Sequence, residues 1–436
     1  MRRSKQTPAS HHIGLSVDVV DPRRPVFSTL AREANKTLQS DHGLVYGNIM
    51  TTVIAPSAKR SAIWNIRALF FCEAAVLTSI FPRFPDFKQA LALDHAQLGL
   101  SLLGLPLGTL LSLLMAGGLV DRLGTRRASL VGICLVSASM ILPALSWSMA
   151  SLFGALFVIG LSLALIEIGM NVDADRVEKW TSRPIMGSCH GFWSLGALTG
   201  TGLGAISAGV GLSPLLQVLV ITPIFGIAGF LIIRLRAAIP VPAPSSGQSP
   251  AFALPSKAML GLAAFSVGLQ MSEGAAFDWS GIYMKEVVGA NATYIGMAYF
   301  AFTLPMAIGR FFGDHFRTVL GPVRLARITT LIAILGLLIL GLTETPIGAV
   351  VAWALVGLGA SMAFPLAVTA AAARKDRPAS VNVASVFLVA FTAFVIGPPL
   401  IGFVAKGIGL QNGLLSLLPF CILGYFLAPS LNPRRD

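Results

Sequence analysis

From residue 62 to residue 429 the chain alternates long apolar runs with short polar breaks. A helix that crosses a bilayer needs about 20 mostly apolar residues. Stepping that length along the sequence predicts twelve spans: 62–82, 97–120, 128–147, 150–171, 188–210, 213–234, 258–279, 292–312, 325–343, 347–371, 381–405 and 411–429. The longest internal break runs from Arg236 to Lys257 and contains IPVPAPSSGQSPAFALP. Its Pro, Ser and Gly content predicts an extended, flexible linker. That linker divides the spans six and six. The expected organisation is a tail over 1–61, a six-helix bundle over 62–235, the linker over 236–257, a second six-helix bundle over 258–430, and a short C-terminus over 431–436.

Composition narrows the class. Of 436 residues, 55% are hydrophobic and 12% charged, with a mean hydropathy of +0.77. An average soluble domain carries about 25% charged residues, and a soluble protein of this length could not cover its apolar surface with half that supply. A soluble enzyme, a nucleic-acid binder and a disordered scaffold are excluded; an all-α, polytopic membrane protein is predicted. The net charge of +13 is a matter of topology: 27 of the 32 Lys and Arg residues fall in the tail, the even-numbered connections and the C-terminus. Arg83, Lys88, Lys285 and Lys406 lie in the opposite loops and Arg67 within span one. The positive-inside bias therefore puts both termini in the cytoplasm. The tail has no apolar h-region and is expected to be disordered and not a secretory signal. Met50, just ahead of span one, is a candidate translation start, which mass spectrometry of the native N-terminus would test. Cys72, Cys134, Cys189 and Cys421 form no CxxC or metal-ligand spacing with His and read as small buried hydrophobes. No metal site is expected.

Two polar segments echo each other across the linker. After span two comes Gly117-Gly-Leu-Val-Asp121-Arg122-Leu-Gly124-Thr-Arg126-Arg127, and after span eight Gly309-Arg310-Phe-Phe-Gly313-Asp314-His-Phe-Arg317. The reading aligns Asp121 with Asp314, 193 residues apart. In this alignment Asp121, Arg122 and Arg126, with Arg310, Asp314 and Arg317, form a charge latch at the basic edge. The aspartate pairs with a cation or a helix N-terminus, and the glycines let backbones approach. The first segment resembles the signature loop of the major facilitator superfamily, and the second fits its other half. A closer resemblance, to the bacterial YbjJ/MosC-type branch, lies in Phe81-Pro-Arg83-Phe-Pro-Asp86-Phe-Lys88 with Ala96-Gln-Leu-Gly99, Gly169-Met-Asn171-Val, Arg183-Pro-Ile-Met186, His190-Gly-Phe-Trp193-Ser-Leu-Gly196, and Ser272-Glu273-Gly-Ala-Ala-Phe-Asp278-Trp279-Ser280. It covers 62–430 and implies an inner-membrane secondary transporter with two rocking six-helix halves. The branch's MosC-like members are associated with rhizopine, an inositol-derived amine, and the branch lies near fucose-permease-like symporters. No GxxxxGK[ST] loop is present, so ATP-driven transport by this chain alone is not expected, and no cofactor is implied.

Ionisable residues inside spans mark the candidate chemistry. A charge at a helix centre costs roughly 2.5–3.5 kcal/mol on insertion scales and usually faces a cavity or a partner. Glu73 falls at the middle of span one; Glu167 falls in span four with Asn171 one turn later. The fucose-permease resemblance implies that one of these acids carries a proton and the other binds solute. The alternatives are a structural pair between Glu73 and Arg67, and a solvated helix end for Glu167. Arg67 itself reads equally as a functional group or as a snorkelling side chain. In span seven, Gln270 and Glu273 share a face, with Asp278 expected near the outer surface and Trp279 offering an aromatic platform. His190 and Trp193 open span five, the His as a proton relay or a loop-edge residue. A sugar, polyol or inositol derivative needs such carboxylates, amides and an aromatic surface.

Two features read as structural. Gly196, Gly200 and Gly204 form a small-residue ridge for tight packing, and Gly397-Pro398-Pro399 interrupts span eleven as a kink or gate. The phenylalanines read as lipid-facing and core filler. The expected protein is a monomer in the bilayer, binding a small solute and protons and no nucleic acid. An exporter of amphipathic compounds and a non-transporting sensor of the same fold remain as alternatives. A membrane-embedded transferase is disfavoured, because Asp173, Asp175 and Glu178 read as a solvated loop among Arg176, Lys179 and Arg183.

Overall fold

The computed structural model describes residues 43–432 apart from 184, 237–238, 240–255, 375 and 377–378. Most of the expected tail, nearly all of the linker over 236–257 and the last four residues thus lie outside the described residues. The compact unit begins at Ala58. Its helices are α1 (Gly43–Thr78), α2 (Phe84–Ala90), α3 (His95–Leu102), α4 (Gly104–Leu123), α5 (Thr125–Ser139), α6 (Met149–Thr181), α7 (Met186–Gly209) and α8 (Pro214–Leu235) in the first half. The second half holds α9 (Lys257–Glu286), α10 (Ala292–Leu320), α11 (Pro322–Leu342), α12 (Pro346–Ala360), α13 (Ala363–Ala373), α14 (Ala379–Ile408), α15 (Leu410–Leu415) and α16 (Leu418–Leu427).

Helices join into single crossings, α1 with the short α2 that follows it, α3 with α4, α12 with α13, and α15 with α16, so sixteen helices make twelve spans in two six-helix bundles. Among the described residues, ten segments are long and apolar enough to cross a membrane. The other two, α7 and α9, have spanning length, 24 and 30 residues, but are diluted by Gly, Ser, Thr and ionisable side chains. Several helices outrun their predicted spans. α6 continues to Thr181 in a run of 33 residues, so Glu167 lies well inside a helix and not at its end.

The bundle turns the soluble pattern inside out. On α8, Leu216, Leu219, Val220, Ile224 and Ile227 form an exposed stripe at helical spacing, while Gln217, Ile221 and Gly229 face inward. With lipid outside, the interior is assembled by close backbone approach more than by hydrophobicity. The expected ridge on α7 does this: Gly196 and Gly200 press on the α1 carbonyls of Phe71 and Ala75, and Gly204 on the Ser79 carbonyl just past the end of α1. A Cβ at Gly200 would stand 2.5 Å from the Ala75 oxygen. Thr78 Oγ1 crosses the same seam, within reach of the Ala197 carbonyl at 3.1 Å. Between halves, α7 meets α10, where Gly191 faces Phe311, and α3 meets α14, where Gly99 faces the Pro398 carbonyl and Gly402 the His95 carbonyl. Gly397-Pro398-Pro399 therefore does not interrupt its span: α14 is one helix of 30 residues, and this small-residue stretch is a packing surface for α3.

The repeat takes a different register from the one the motifs suggest. Gly124 links α4 to α5 with φ +76°, and Gly321 links α10 to α11 with φ +75°. That left-handed turn admits glycine without strain. With the two glycines aligned, Asp121 stands three residues before its turn and Asp314 seven before. The aspartates are therefore not equivalent; Asp314 is one helical turn deeper, about 6 Å. The side chains of Asp121 and Asp314 lie outside the described residues. Cys134 is exposed, unlike the other three cysteines.

Candidate functional site

A cavity of about 270 Å³ lies between the halves. Its polar wall is built by four helices. From α9 come Gln270, Glu273 and Asp278, with Gly274 and Phe277 between them; this is the i, i+3/4, i+7/8 stripe of one helix face. From α7 come His190 and Trp193, and from α6 comes Glu167. Arg310 of α10 completes it. Apart from Thr109 of α4 the rest is apolar, with Phe70, Phe81, Phe391 and Phe394 among the lining rings.

The charges are held unequally. Arg310 Nη2 donates to Glu273 Oε1 at 2.9 Å, and Nη1 donates to Ser194 Oγ of α7 at 3.2 Å, bridging the halves. Glu167 accepts from Asn171 Nδ2 at 3.1 Å, and that amide also donates to the Glu167 carbonyl at 2.8 Å. Gln270 is 3% exposed, and its Nε2 has no hydrogen-bond partner. Glu73 is fully buried in α1, off the cavity wall; its Oε2 accepts from Trp193 Nε1 at 2.9 Å and its Oε1 has no partner among the described residues. It lies in electrostatic range of Glu167.

Several expected placements change. Arg310 does not belong to a latch at the basic edge: it precedes Gly321 by eleven residues, about 16 Å of helix rise, which carries it into the cavity. Asp278 lines the cavity instead of the outer surface. Trp279 is nine residues from Gln270, which on a helix is about half a turn away. It faces elsewhere, fully buried and stacked on His95 with centroids 6.3 Å apart. The aromatic surface comes from phenylalanines, so these are not all filler; Phe277 was legible from its place on the α9 stripe. Asn171 positions Glu167 and is not among the lining residues. Arg67 does not pair with Glu73. It donates to Ser188 Oγ at 2.9 Å and lies over the rings of Trp64 and Phe192.

At the basic edge, Arg122 is exposed. Arg126 donates to the Ile233 carbonyl at 3.1 Å and to the Arg234 carbonyl, capping the last turn of α8 within its own half. Arg317 donates to Thr369 Oγ1 of α13 at 3.4 Å. Asp173 is no solvated loop residue. It is buried on α6, accepts from Thr125 Oγ1 at 2.7 Å and pairs with Arg236.

The far end carries a group of residues at or near helix ends that the pattern of spans does not single out. Glu286, ending α9, accepts from Lys88 Nζ at 2.5 Å and His95 Nε2 at 2.8 Å. Lys285 Nζ donates to Gln89 Oε1 at 2.7 Å, and Lys406 pairs with Asp94 at 3.0 Å. Tyr299 OH donates to the Phe81 carbonyl at 2.9 Å. Every one of these contacts joins one half to the other, so this end is closed. Burial alone would raise the Glu286 carboxyl, but the hydrogen bonds from His95 and Lys88 hold it below the ordinary carboxylate range. Asp94 is held low chiefly by the backbone N–H of Gln97, with Lys406 adding to it.

Two bundles of six helices around a charged central cavity, closed at one end, define a membrane transport protein. The chain is 32% identical to the uncharacterized transporter y4wD of Sinorhizobium fredii over 376 residues, covering 84% of this chain and 95% of the relative. It is 29% identical to an uncharacterized MFS-type transporter of Yersinia pestis over 345 residues, covering 78% and 88%. It is 26% identical to the membrane protein MosC of Rhizobium meliloti over 363 residues, covering 83% and 88%. No family model matches the chain. Among solved structures, the nucleoside transporter NupG superposes with a TM-score of 0.62 at 15% identity, covering 85% of this chain and 98% of that one. The transporter FucP in its outward conformation gives 0.57 at 17%, covering 85% and 98%. The chain belongs to the major facilitator superfamily of membrane transporters.

Proposed function

We propose that the protein is a proton-coupled secondary transporter of a small polar solute, a sugar, polyol or inositol derivative. It works as a monomer in a bacterial inner membrane with both termini in the cytoplasm. The observation that carries this reading is the composition of the cavity. Glu167, Glu273, Asp278, Gln270 and Arg310 offer acceptors and donors for hydroxyl groups, and the phenylalanine rings offer flat surfaces for the C–H faces of a saturated ring. Three carboxyl groups against one guanidinium favour a solute that also carries a basic nitrogen, which accords with the rhizopine association implied by the MosC resemblance. Glu73 and Glu167 are the proton-carrying candidates, because buried carboxyls at mid-span mark proton pathways. The closed far end and the basic loops support alternating access by rocking of the halves.

The extent of the phenylalanine wall favours a second reading, export of amphipathic compounds by proton antiport. One experiment separates them. Purified protein in liposomes with an internal pH dye is offered myo-inositol, an amino-inositol, hexoses and amphipathic cations in turn. Inward proton movement with a polyol supports the first reading, and outward movement with an amphipathic cation supports the second. No proton movement with any of them would overturn both and leave the sensor alternative.

A further inference from the structure

We propose that the Trp193 indole is the positioning group that ties the cavity to Glu73, so that the protonation of the carboxyl and the position of the indole change together. The proposal rests on the proton-coupled reading above and adds to it the side chain that does the coupling. Glu73 is fully buried and off the cavity wall, so a solute in the cavity does not touch it. Trp193 does line the cavity, and its Nε1–H is the donor that reaches Glu73, at 2.9 Å. The other carboxyl oxygen is an orphan.

The indole N–H can only donate. Its bond is charge-assisted when Glu73 is ionised, and such bonds are roughly twice as strong as neutral ones. Removing it from an ionised Glu73 would leave a buried anion with neither oxygen satisfied, which is strongly unfavourable. A solute that presses on the indole face and turns it away therefore drives a proton onto Glu73. Linkage makes the effect reciprocal: protonating Glu73 weakens the bond, frees the indole and favours the solute by the same factor. Solute and proton then load together, the sign required for symport.

The surroundings are compatible with such a lever. Glu167 on α6 is in electrostatic range of Glu73. His190, one turn before Trp193 on α7, and Arg310 on α10 line the same cavity. On its own helix Glu73 has Cys72 beside it and Arg67 held by Ser188. α8, whose Gly229 packs near Cys72, brings no titratable residue between Pro214 and Ile233. Next to Trp193, Ser194 accepts from Arg310 and donates to the His190 carbonyl at 3.1 Å, which ties this turn of α7 to α10.

The test uses the full chain in lipid nanodiscs, with protons as the probe. Intrinsic tryptophan emission is recorded across pH for the wild type, Trp193→Phe, Glu73→Gln and Glu73→Asp. The expected result is a titrating component in the wild type that is lost in both Trp193→Phe and Glu73→Gln and is displaced along the pH axis in Glu73→Asp. A component that survives Glu73→Gln or Trp193→Phe unchanged, or the absence of any component in the wild type, overturns the proposal. Should Glu73→Gln fail to fold, Glu73→Asp decides, because an unshifted transition there is equally fatal. Failure of the transport reading is a different result: no solute drives proton flux in wild-type liposomes, whatever the emission does.

Discussion

The closed far end and the central cavity handle charge in opposite ways. At the far end two carboxylates are answered across the halves: Glu286 by Lys88 and His95, Asp94 by Lys406. These groups are exposed or partly exposed, so water shares the work and each pair contributes little. In the cavity Glu273 is matched by Arg310, but Glu167 is held by an amide, and behind the wall Glu73 is held by the Trp193 indole. Charges that satisfy one another close a surface. Carboxyls left with neutral partners are available to a solute or a proton.

The strongest way to break this contrast is Arg310→Ala. It removes the cation matched to Glu273 in a setting where both side chains are about nine-tenths buried. Breaking such a pair costs about 3 kcal/mol or more. The variant should lose thermal stability in detergent and lose solute-driven flux, whereas Arg310→Lys should recover much of the stability but not the reach to both Ser194 and Glu273. Glu167→Gln comes next. The substitution keeps shape and a carbonyl acceptor for Asn171, so stability should change by less than about 1 kcal/mol, while proton-coupled flux falls at least about tenfold, the effect of about 1.4 kcal/mol on a rate. Equal flux in the two proteins would remove Glu167 from the coupling.

Smaller effects belong to the far end. Glu286→Gln loses the ion pair with Lys88 and weakens the hydrogen bond with His95, and should leave the fold intact while the closure loosens. A cysteine placed at Gln89, in a background with Cys134→Ser, should then react a few-fold faster with a membrane-impermeant maleimide, since about 1 kcal/mol shifts a population roughly five-fold. The pH dependence of the same labelling sharpens the contrast. Because the Glu286 and Asp94 carboxyls are held low, their contribution to the closure is complete above the ordinary carboxylate range and is lost as pH falls through their depressed values. The contribution of these two carboxylates should therefore be flat from neutral pH down to about 4 and disappear below it. A loss already complete at pH 6 would mean that other groups hold the end shut.

Much of the architecture was legible because spanning a bilayer is a local property. Each helix must satisfy its own backbone within the hydrocarbon, so about 20 apolar residues announce themselves one run at a time. The α7 ridge was equally readable, since small residues every fourth position can only serve close packing. The weak points of the sequence signal are instructive. The two helices that fall short of the apolar criterion, α7 and α9, are the ones that bring His190, Trp193, Gln270, Glu273 and Asp278 to the cavity. Their low hydropathy is the trace of the site.

Sequence by itself determined the number of crossings, the division into halves, the mid-span position of Glu73 and the family resemblance. Tertiary structure decided the partners. Trp279 was misplaced because a face is set by the helix's rotation against its neighbours, and Arg310 because its distance from the Gly321 turn, and not its likeness to the Asp121 loop, fixes its depth. Glu286, Lys88 and His95 carry no span-level signal; they matter because α9 ends where the loop between α2 and α3 begins to cross from the other half. Hydropathy is a sum over one helix, whereas a cavity and its closure are properties of pairs of helices, and the chain states those only when it is folded.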